Sequence, residues 1–371
     1  MTGTGPAGTA ERVSTPRRWL VFEPVDTVAV RDGRAFDAGS NSVARVVLPH
    51  PGAVGGAVGA AYGARPGAGA DRAEHGRSVP AALHGPVVVQ RLDTGRWRAR
   101  FPQPRVMVRD GEVWHRLAPP GDRDWDGVSS DLDGAALLPG PVGETGGWVD
   151  GAALGRFLTD PHAVARAGAA PWVTERRVGL ARNDDRTARD GMLYSAEHLR
   201  PAVGGRVHGA GFAVGCVDPP DRAPADMVFL GGEGRRAQVH DWTSAGASGP
   251  LPDPPVDFGD GRVLLYLATP ALFTGGWRPA DADLRGGRLV AAAVGAPQEI
   301  ALGRPDRRTG ALTARRLLWA APAGSVYFLD FGRDVAAAML AAAAWHGSAF
   351  TPQHGGALAT AGFGLALIGR W

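Results

Sequence analysis

The stretch PHPGAVGGAVGAAYG, Pro49 to Gly63, constrains the fold more than any other part of this chain. Val54, Val58 and Ala61 recur at helical spacing, and Pro51 stands where a first helical residue tolerates proline's missing N–H. Yet Gly52, Gly55, Gly56 and Gly59 fall inside the same helix, each at a cost of roughly 1 kcal/mol relative to alanine. Such a helix makes sense only where something packs very close to its backbone. It follows a roughly alternating segment, RRWLVFEPVDTVAV over 17–30, and strand, turn and helix in that order open a βαβ-type unit.

Beyond that unit, glycine and proline turns cut the chain into short pieces. Residues 64–170, rich in Gly, Pro and Asp, read as an insertion with short strands such as GPVVVQRL and GEVWHRL. An arginine-dense block, VTERRVGLARNDDRTARDGMLYSAEHLRP, covers 173–201. Strand-like pieces follow, GAGFAVGCV, AGSVYFLDF and GFGLALIGRW among them, with RDVAAAMLAAAAWHG the chief helical candidate. The expected organisation is α+β: a disordered lead-in over 1–16, a first half over 17–201 carrying the insertion at about 64–170, and a second half over 202–371.

An apolar fraction of 44% and a charged fraction of 21% are those of a globular protein. No apolar run approaches the ~18 residues that cross a bilayer, and the N-terminus has no apolar signal core. A single cysteine, Cys216, excludes a disulfide framework and a multi-cysteine zinc site, so the expected location is cytoplasmic. The net charge of +3 and pI near 9.6 point to a polyanionic partner. All 40 basic residues are arginine, however, while isoleucine occurs only at Ile300 and Ile368 and asparagine only at Asn41 and Asn183. That pattern is one of GC-rich codon usage. Arginine placement, not arginine number, carries the information.

Five motifs bear on chemistry. RDGRAF, Arg31 to Phe36, is a hairpin signal through its Asp-Gly pair and also brackets that turn with two guanidinium groups. GGEGRR, Gly231 to Arg236, follows MVFL; its amides suit a phosphate and Arg235 and Arg236 add charge, but the Gly-Lys-Ser/Thr ending of a Walker loop is missing. Arg176, Arg177, Arg182, Arg186 and Arg189 share one segment with Asp184, Asp185 and Asp190, which reads as a self-paired solvated surface or as a cationic one. HGGALATAGFG, His354 to Gly364, has two glycine-lined bends that suit either an extended RNA backbone or an ordinary loop before a strand. DRDWDGVSSDLD puts Asp122, Asp124, Asp126, Gly127, Ser130 and Asp133 at calcium-loop positions, but APPG replaces the entering helix and the last position is Asp rather than Glu. The histidines form no H-E-x-x-H pair and no G-x-S-x-G elbow occurs. A lone His50 or His354 is open to a base role in RNA cleavage or to a core or surface one, and the tryptophans to stacking or core roles.

Taken in order, RDGRAF, LPHPGAVGGAVGAAYG, VGLARNDDRTARDGMLYS, LGGEGRRAQV, YLATPALFTGGWRP, PAGSVYFLDF and GFGLALIGRW resemble Cmr subunit three, a family of the RAMP superfamily found in type III-B CRISPR effector complexes. The resemblance runs from about residue 18 to the C-terminus. It implies two RRM-like (ferredoxin-like) RAMP halves and a non-catalytic RNA-binding subunit in antiviral defence, without metal or cofactor. That subunit holds the repeat-derived 5′ tag of the crRNA, bridges the large polymerase/cyclase-like subunit to the backbone RAMP subunit, and meets target RNA indirectly. The alternatives are a metal-independent CRISPR-RNA-processing endoribonuclease of the same superfamily and a purely structural adaptor. The expected RNA contacts are Arg31, Arg34, Arg45, Gly55, Gly56, Arg182, Arg186, Arg189, Gly232, Arg235, Arg236, Gly355, Gly356, Gly362 and Gly364. The superfamily's doubled Gly-apolar-Gly pattern is kept at Gly362-Phe363-Gly364 and departs at His354-Gly355-Gly356.

Overall fold

A computed structural model describes residues 16–32, 43–64, 79–120, 134–202, 209–242, 249–305, 312–350, 358 and 360–371. The lead-in before Pro16, Arg34, Gly355, Gly356 and the Asp122–Asp133 loop lie outside the described residues. The chain opens with β1 (Arg18–Pro24), β2 (Val43–Ala44) and α1 (Pro51–Ala61). Then come β3 (Ala82–Arg91), β4 (Trp97–Pro102), β5 (Met107–Asp110), β6 (Val113–Arg116), β7 (Trp148–Asp150) and α2 (Gly151–Thr159). A long ribbon, β8 (Trp172–Arg182) and β9 (Ala188–Pro201), precedes β10 (Ala210–Val217), β11 (Met227–Phe229) and β12 (Arg236–Asp241). The remainder is β13 (Arg262–Leu267), β14 (Arg288–Ala293), β15 (Gln298–Pro305), β16 (Leu312–Ala320), β17 (Val326–Asp330), α3 (Val335–Trp345) and β18 (Ala366–Gly369).

Two antiparallel sheets carry the architecture. One is seven-stranded, ordered β11-β12-β1-β10-β3-β4-β7; the other is four-stranded, ordered β14-β17-β13-β18. Within the first, β12-β1-β10-β3 runs fourth, first, third, second in order of occurrence, and β18-β13-β17-β14 repeats that order in the second. Each four-strand repeat carries a helix in one of its connections: α1 between β1 and β3, and α3 between β17 and β18; α2 follows β7 at the edge of the first sheet. The expected junction at residue 202 is corrected by this pairing, because β10 and β12 lie beyond it and flank β1. The expected insertion is corrected as well, since β3 and β4 are interior strands of the first sheet. What leaves the sheet plane is the β8–β9 ribbon, joined by β2.

The helix is where the periodicity places it. α1 buries Val54, Ala57, Val58 and Ala61 against Leu20, Phe22, Phe212 and Val214. It stops after Tyr62, and Gly63 takes the left-handed φ of 76° that terminates helices cheaply only with glycine. The close backbone approach expected of its glycines is found at one end only. A Cβ on Gly52 would meet Leu302 at 2.9 Å, whereas among the described residues Gly55 meets only Leu83 at 3.5 Å and Gly56 meets nothing within 4 Å.

The two sheets share a core. β13, RVLLYL, is apolar on both faces: Val263, Leu265 and Leu267 turn towards α3, while Leu264 and Tyr266 meet Val87, Phe101 and Val149 of the first half. The Tyr266 hydroxyl donates to the Pro102 carbonyl at 2.6 Å. Arg116 fastens the same junction. Its Nη1 donates to the carbonyls of Phe157 and Asp160 at the C-terminal end of α2, each at 2.8 Å, and its Nη2 to the carbonyl of Arg370 at 2.9 Å. A cation is favoured there by the helix dipole, and although burial pulls the guanidinium down to about 10 it stays charged at neutral pH.

Candidate functional site

The ribbon brings the arginine block out of the body of the protein. At its tip, Asn183 to Thr187 form a turn in which Arg186 donates its N–H to the Asn183 carbonyl at 2.9 Å. Asp185 is engaged by Thr187, through the backbone N–H at 3.0 Å and the hydroxyl at 2.7 Å, and these hydrogen bonds hold its carboxyl below the usual range. Arg182, Arg186 and Arg189 are exposed and make no ion pair among the described residues. The self-paired alternative is therefore corrected at the tip. Nearer the root than these arginines, Val178, Leu180 and Leu193 are exposed, with Leu180 directly opposite Leu193.

The root of the ribbon is the reverse. Asp26 accepts from Arg177 at 2.8 Å, Arg200 at 2.9 Å and Arg235 at 3.1 Å. Glu175 accepts from Arg177 at 2.7 Å and also from Arg200. The Arg200 and then the Arg177 hydrogen bond hold the Glu175 carboxyl down to about 2; hydrogen bonding from Arg177, with the charge of Arg200, lowers Asp26. Nearby, the Thr27 hydroxyl and His198 Nδ1 share a buried hydrogen bond of 3.0 Å. The network ties β8 and β9 to the end of β1 and to the GGEGRR turn.

That turn is not an open phosphate cradle, which corrects the expectation for Gly232 and Arg235. The Gly232 N–H donates to the Ala29 carbonyl at 2.7 Å, and Gly231, at φ 81°, lies so close that a Cβ would stand 2.5 Å from the same oxygen. Arg235 is committed to Asp26. Arg236 differs: it lies over the exposed Phe229 ring at 5.3 Å, at the edge of the first sheet.

Only Arg31 and Asp32 of RDGRAF are among the described residues. A two-residue turn at Asp32-Gly33 would set Arg31 opposite Arg34; instead Arg31 bridges Val46 and the Asp32 N–H donates to the Arg45 carbonyl at 3.1 Å, which corrects the tight-hairpin reading. Arg31 and Arg45 are both exposed on this hairpin.

The second half of the glycine motif is internal, another correction. Gly362, at φ 98°, backs onto the Gly85 carbonyl, where no Cβ fits. The Gly362 carbonyl accepts from the Thr269 hydroxyl at 2.7 Å, and the Gly364 N–H donates to the Pro270 carbonyl at 2.8 Å. Phe363, fully buried between them, stacks on His50 with centroids 6.2 Å apart.

His50 opens a feature that the motifs did not reveal. A cavity of about 60 Å³ lies where the start of α1 meets the first sheet and the 268–270 segment, with Trp148, Phe212, Pro86 and Pro270 among its walls. His50 and Arg100 are its basic groups. Burial pushes His50 down to about 4, and its sealed Nδ1 has no hydrogen-bond partner among the described residues. Arg100 Nη2 donates to the Ala169 carbonyl at 3.1 Å, while its buried Nε has no partner among the described residues and burial lowers its pKa. The signal was the apolar-flanked His50 ahead of a proline-led helix, unreadable before the fold set it and Arg100 around one cavity. Among the described residues no group of three His, Cys, Asp or Glu side chains is placed to hold a metal ion.

Together these features define an α+β protein of two like-ordered antiparallel sheets, with arginines set out on a ribbon and no metal centre among the described residues. The family model for CRISPR-associated protein (Cas_Cmr3) matches residues 20–371, and the chain belongs to that family, as a subunit of a type III-B CRISPR effector. No curated protein matches it. Among solved structures, a chain of the one described as "Cryo-EM structure of the Type III-B Cmr-beta bound to cognate target RNA and AMPPnP, state 1" is similar at 15% identity and a TM-score of 0.46, over 84% of this chain and 86% of that chain. No helix among the described residues is long and apolar enough to cross a membrane.

Proposed function

We propose that this chain is the RNA-holding, non-catalytic subunit of its effector, acting in the cytoplasm in antiviral defence. In this reading it grips the repeat-derived 5′ tag of the crRNA and bridges the large polymerase/cyclase-like subunit to the backbone RAMP subunit, so that target RNA reaches it only indirectly. The two halves are RRM-like units, a reading supported by the strand order that both sheets share. The observation that carries the RNA role is the tip of the ribbon. Arg182, Arg186 and Arg189 are exposed and without ion pairs among the described residues, on an arm whose root is fixed by Asp26 and Glu175. Guanidinium groups left without an acid partner are available to phosphates, with which they form multi-donor contacts.

The test is the salt dependence of binding to a tag-bearing single-stranded RNA. Log affinity should fall with log salt by roughly 0.7 for each phosphate contact. A slope near zero would remove the phosphate grip. Cleavage of repeat RNA by the purified protein, abolished by changing one histidine, would replace this reading with the endoribonuclease one. Equal affinity for tag-bearing and scrambled RNA would favour the structural adaptor.

A further inference from the structure

We propose that the outer face of α3 docks against an uncharged, apolar helix of a neighbouring effector subunit. The inference rests on the bridging role proposed above and deepens it, by assigning a surface to one of the contacts. α3, VAAAMLAAAAW, holds no charged residue along its length. One face is core: Ala338, Ala341, Ala342 and Trp345 belong to the cluster of Leu265, Tyr327, Leu329 and Ile368. The other face is made of Ala336, Met339, Leu340 and Ala343, all exposed, with Leu340 at 74%. A helix that is apolar on every side is ordinarily buried on every side.

The helix cannot bury that face by rolling. Asp334 caps its N-terminus by accepting from the Ala337 N–H at 2.9 Å, and Trp345 packs on Phe331 and Phe350, with ring centroids 6.4 and 5.1 Å away. The water-facing side of α2 is different in kind: that helix buries Leu154, Phe157 and Leu158 and exposes Arg156 and Thr159. Nor does composition account for the choice. The codon bias that fills the chain with arginine would supply it at exposed helical positions too, yet α3 has none and carries one of the chain's five methionines there instead.

The occupant follows from the chemistry and the size of the face. With neither a cation nor an aromatic ring, the face offers RNA no phosphate contact and no stacking platform. Leu340 stands between the exposed Ala336 and Ala343, and a ridge bordered by small residues fits the groove of a second helix. Eleven residues make a face about 16 Å long and about 10 Å across, far short of the roughly 800 Å² that each side of a stable interface buries. Two isolated copies of the chain would not hold together on it, whereas a neighbour already anchored in the same assembly would.

The experiment reconstitutes the effector from its subunits and crRNA, and recovers the backbone subunit through a tag on the large subunit while this chain is titrated in. Without the chain, recovery should be lost. Leu340→Glu should raise the concentration needed for half recovery by at least about tenfold, because docking would bury a carboxylate in an apolar contact. The melting temperature and RNA affinity of the isolated variant should stay as in the wild type, since the side chain is exposed. Leu340→Gln is the second variant should the glutamate melt early, and it should weaken recovery in the same direction. Unchanged recovery with both variants overturns the docking face and leaves the bridging role standing. Full recovery without the chain overturns both. A wild-type chain that sediments alone as a dimer, and as a monomer in Leu340→Glu, overturns the occupant in favour of a second copy. RNA affinity that falls in Leu340→Glu while recovery is unchanged overturns it in favour of RNA.

Discussion

The root and the tip of the β8–β9 ribbon carry arginine at similar density and use it in opposite ways. At the root, Arg177, Arg200 and Arg235 converge on Asp26 and Glu175 and are spent on holding the arm to the sheet. At the tip, Arg182, Arg186 and Arg189 have acids as sequence neighbours and pair with none of them among the described residues. The strand geometry explains the difference. At the root, β8 and β9 lie against a third element that supplies Asp26, whereas a two-stranded tip has no third element to supply an acid. The glycines divide similarly: Gly231 and Gly362 stand against carbonyls of their own chain, and Gly56 meets nothing within 4 Å among the described residues.

The largest effect is expected where a glycine is spent internally. Gly362→Ala forces a side chain to φ 98° against the Gly85 carbonyl and should destabilise the protein by about 3 kcal/mol, measured by urea unfolding. A change below about 0.5 kcal/mol would return Gly362 to the surface contacts. Next, replacing Arg182, Arg186 and Arg189 together with alanine should weaken RNA capture by at least about tenfold without moving the melting temperature. The reverse outcome, intact capture with early melting, would erase the distinction between tip and root.

At the root, Arg200→Ala leaves Glu175 and Asp26 each short of a partner; it should cost about 1 kcal/mol of stability and leave RNA affinity within about twofold. The same network predicts a pH effect. The folded value for Glu175, about 2, lies below the unfolded value of about 4.3. The stability it contributes is therefore present above about 4.3 and lost as pH falls towards 2. Melting temperature should drop more steeply across that window in the wild type than in Glu175→Gln, and parallel curves would contradict the pairing. The smallest effect, and one of opposite sign, belongs to Gly56→Ala, which should stabilise the protein by about 0.5–1 kcal/mol because no described residue stands in the way of a methyl group on that helical position. Loss of RNA affinity in that variant would show that a strand lies against the helix.

Much was legible from local pattern. The strand before Val30 and the helix from Pro51 follow from alternation, spacing and the φ demands of proline, all properties of neighbouring residues. The order of the short motifs was enough to point to the family, which the match over 20–371 then established. Pairing across distance was not legible. β1 accepts β10 and β12 as neighbours, and no feature of GAGFAVGCV marks it as belonging with residues 18–24 and not with the strands that follow it.

The sequence by itself therefore determined α1, α3, β1 and several of the later strands, and pointed to the family, because helical spacing, strand alternation and motif order are written in residues that stand close together. The tertiary structure alone decided which residues remain free to act. Whether the Gly232 amide can meet a phosphate depends on the Ala29 carbonyl, and whether Arg235 can do so depends on Asp26. Both partners lie about two hundred residues away in the chain, brought near only because β12 pairs with β1. A hydrogen bond or ion pair acts over a few ångströms of space, and only the folded chain sets those distances.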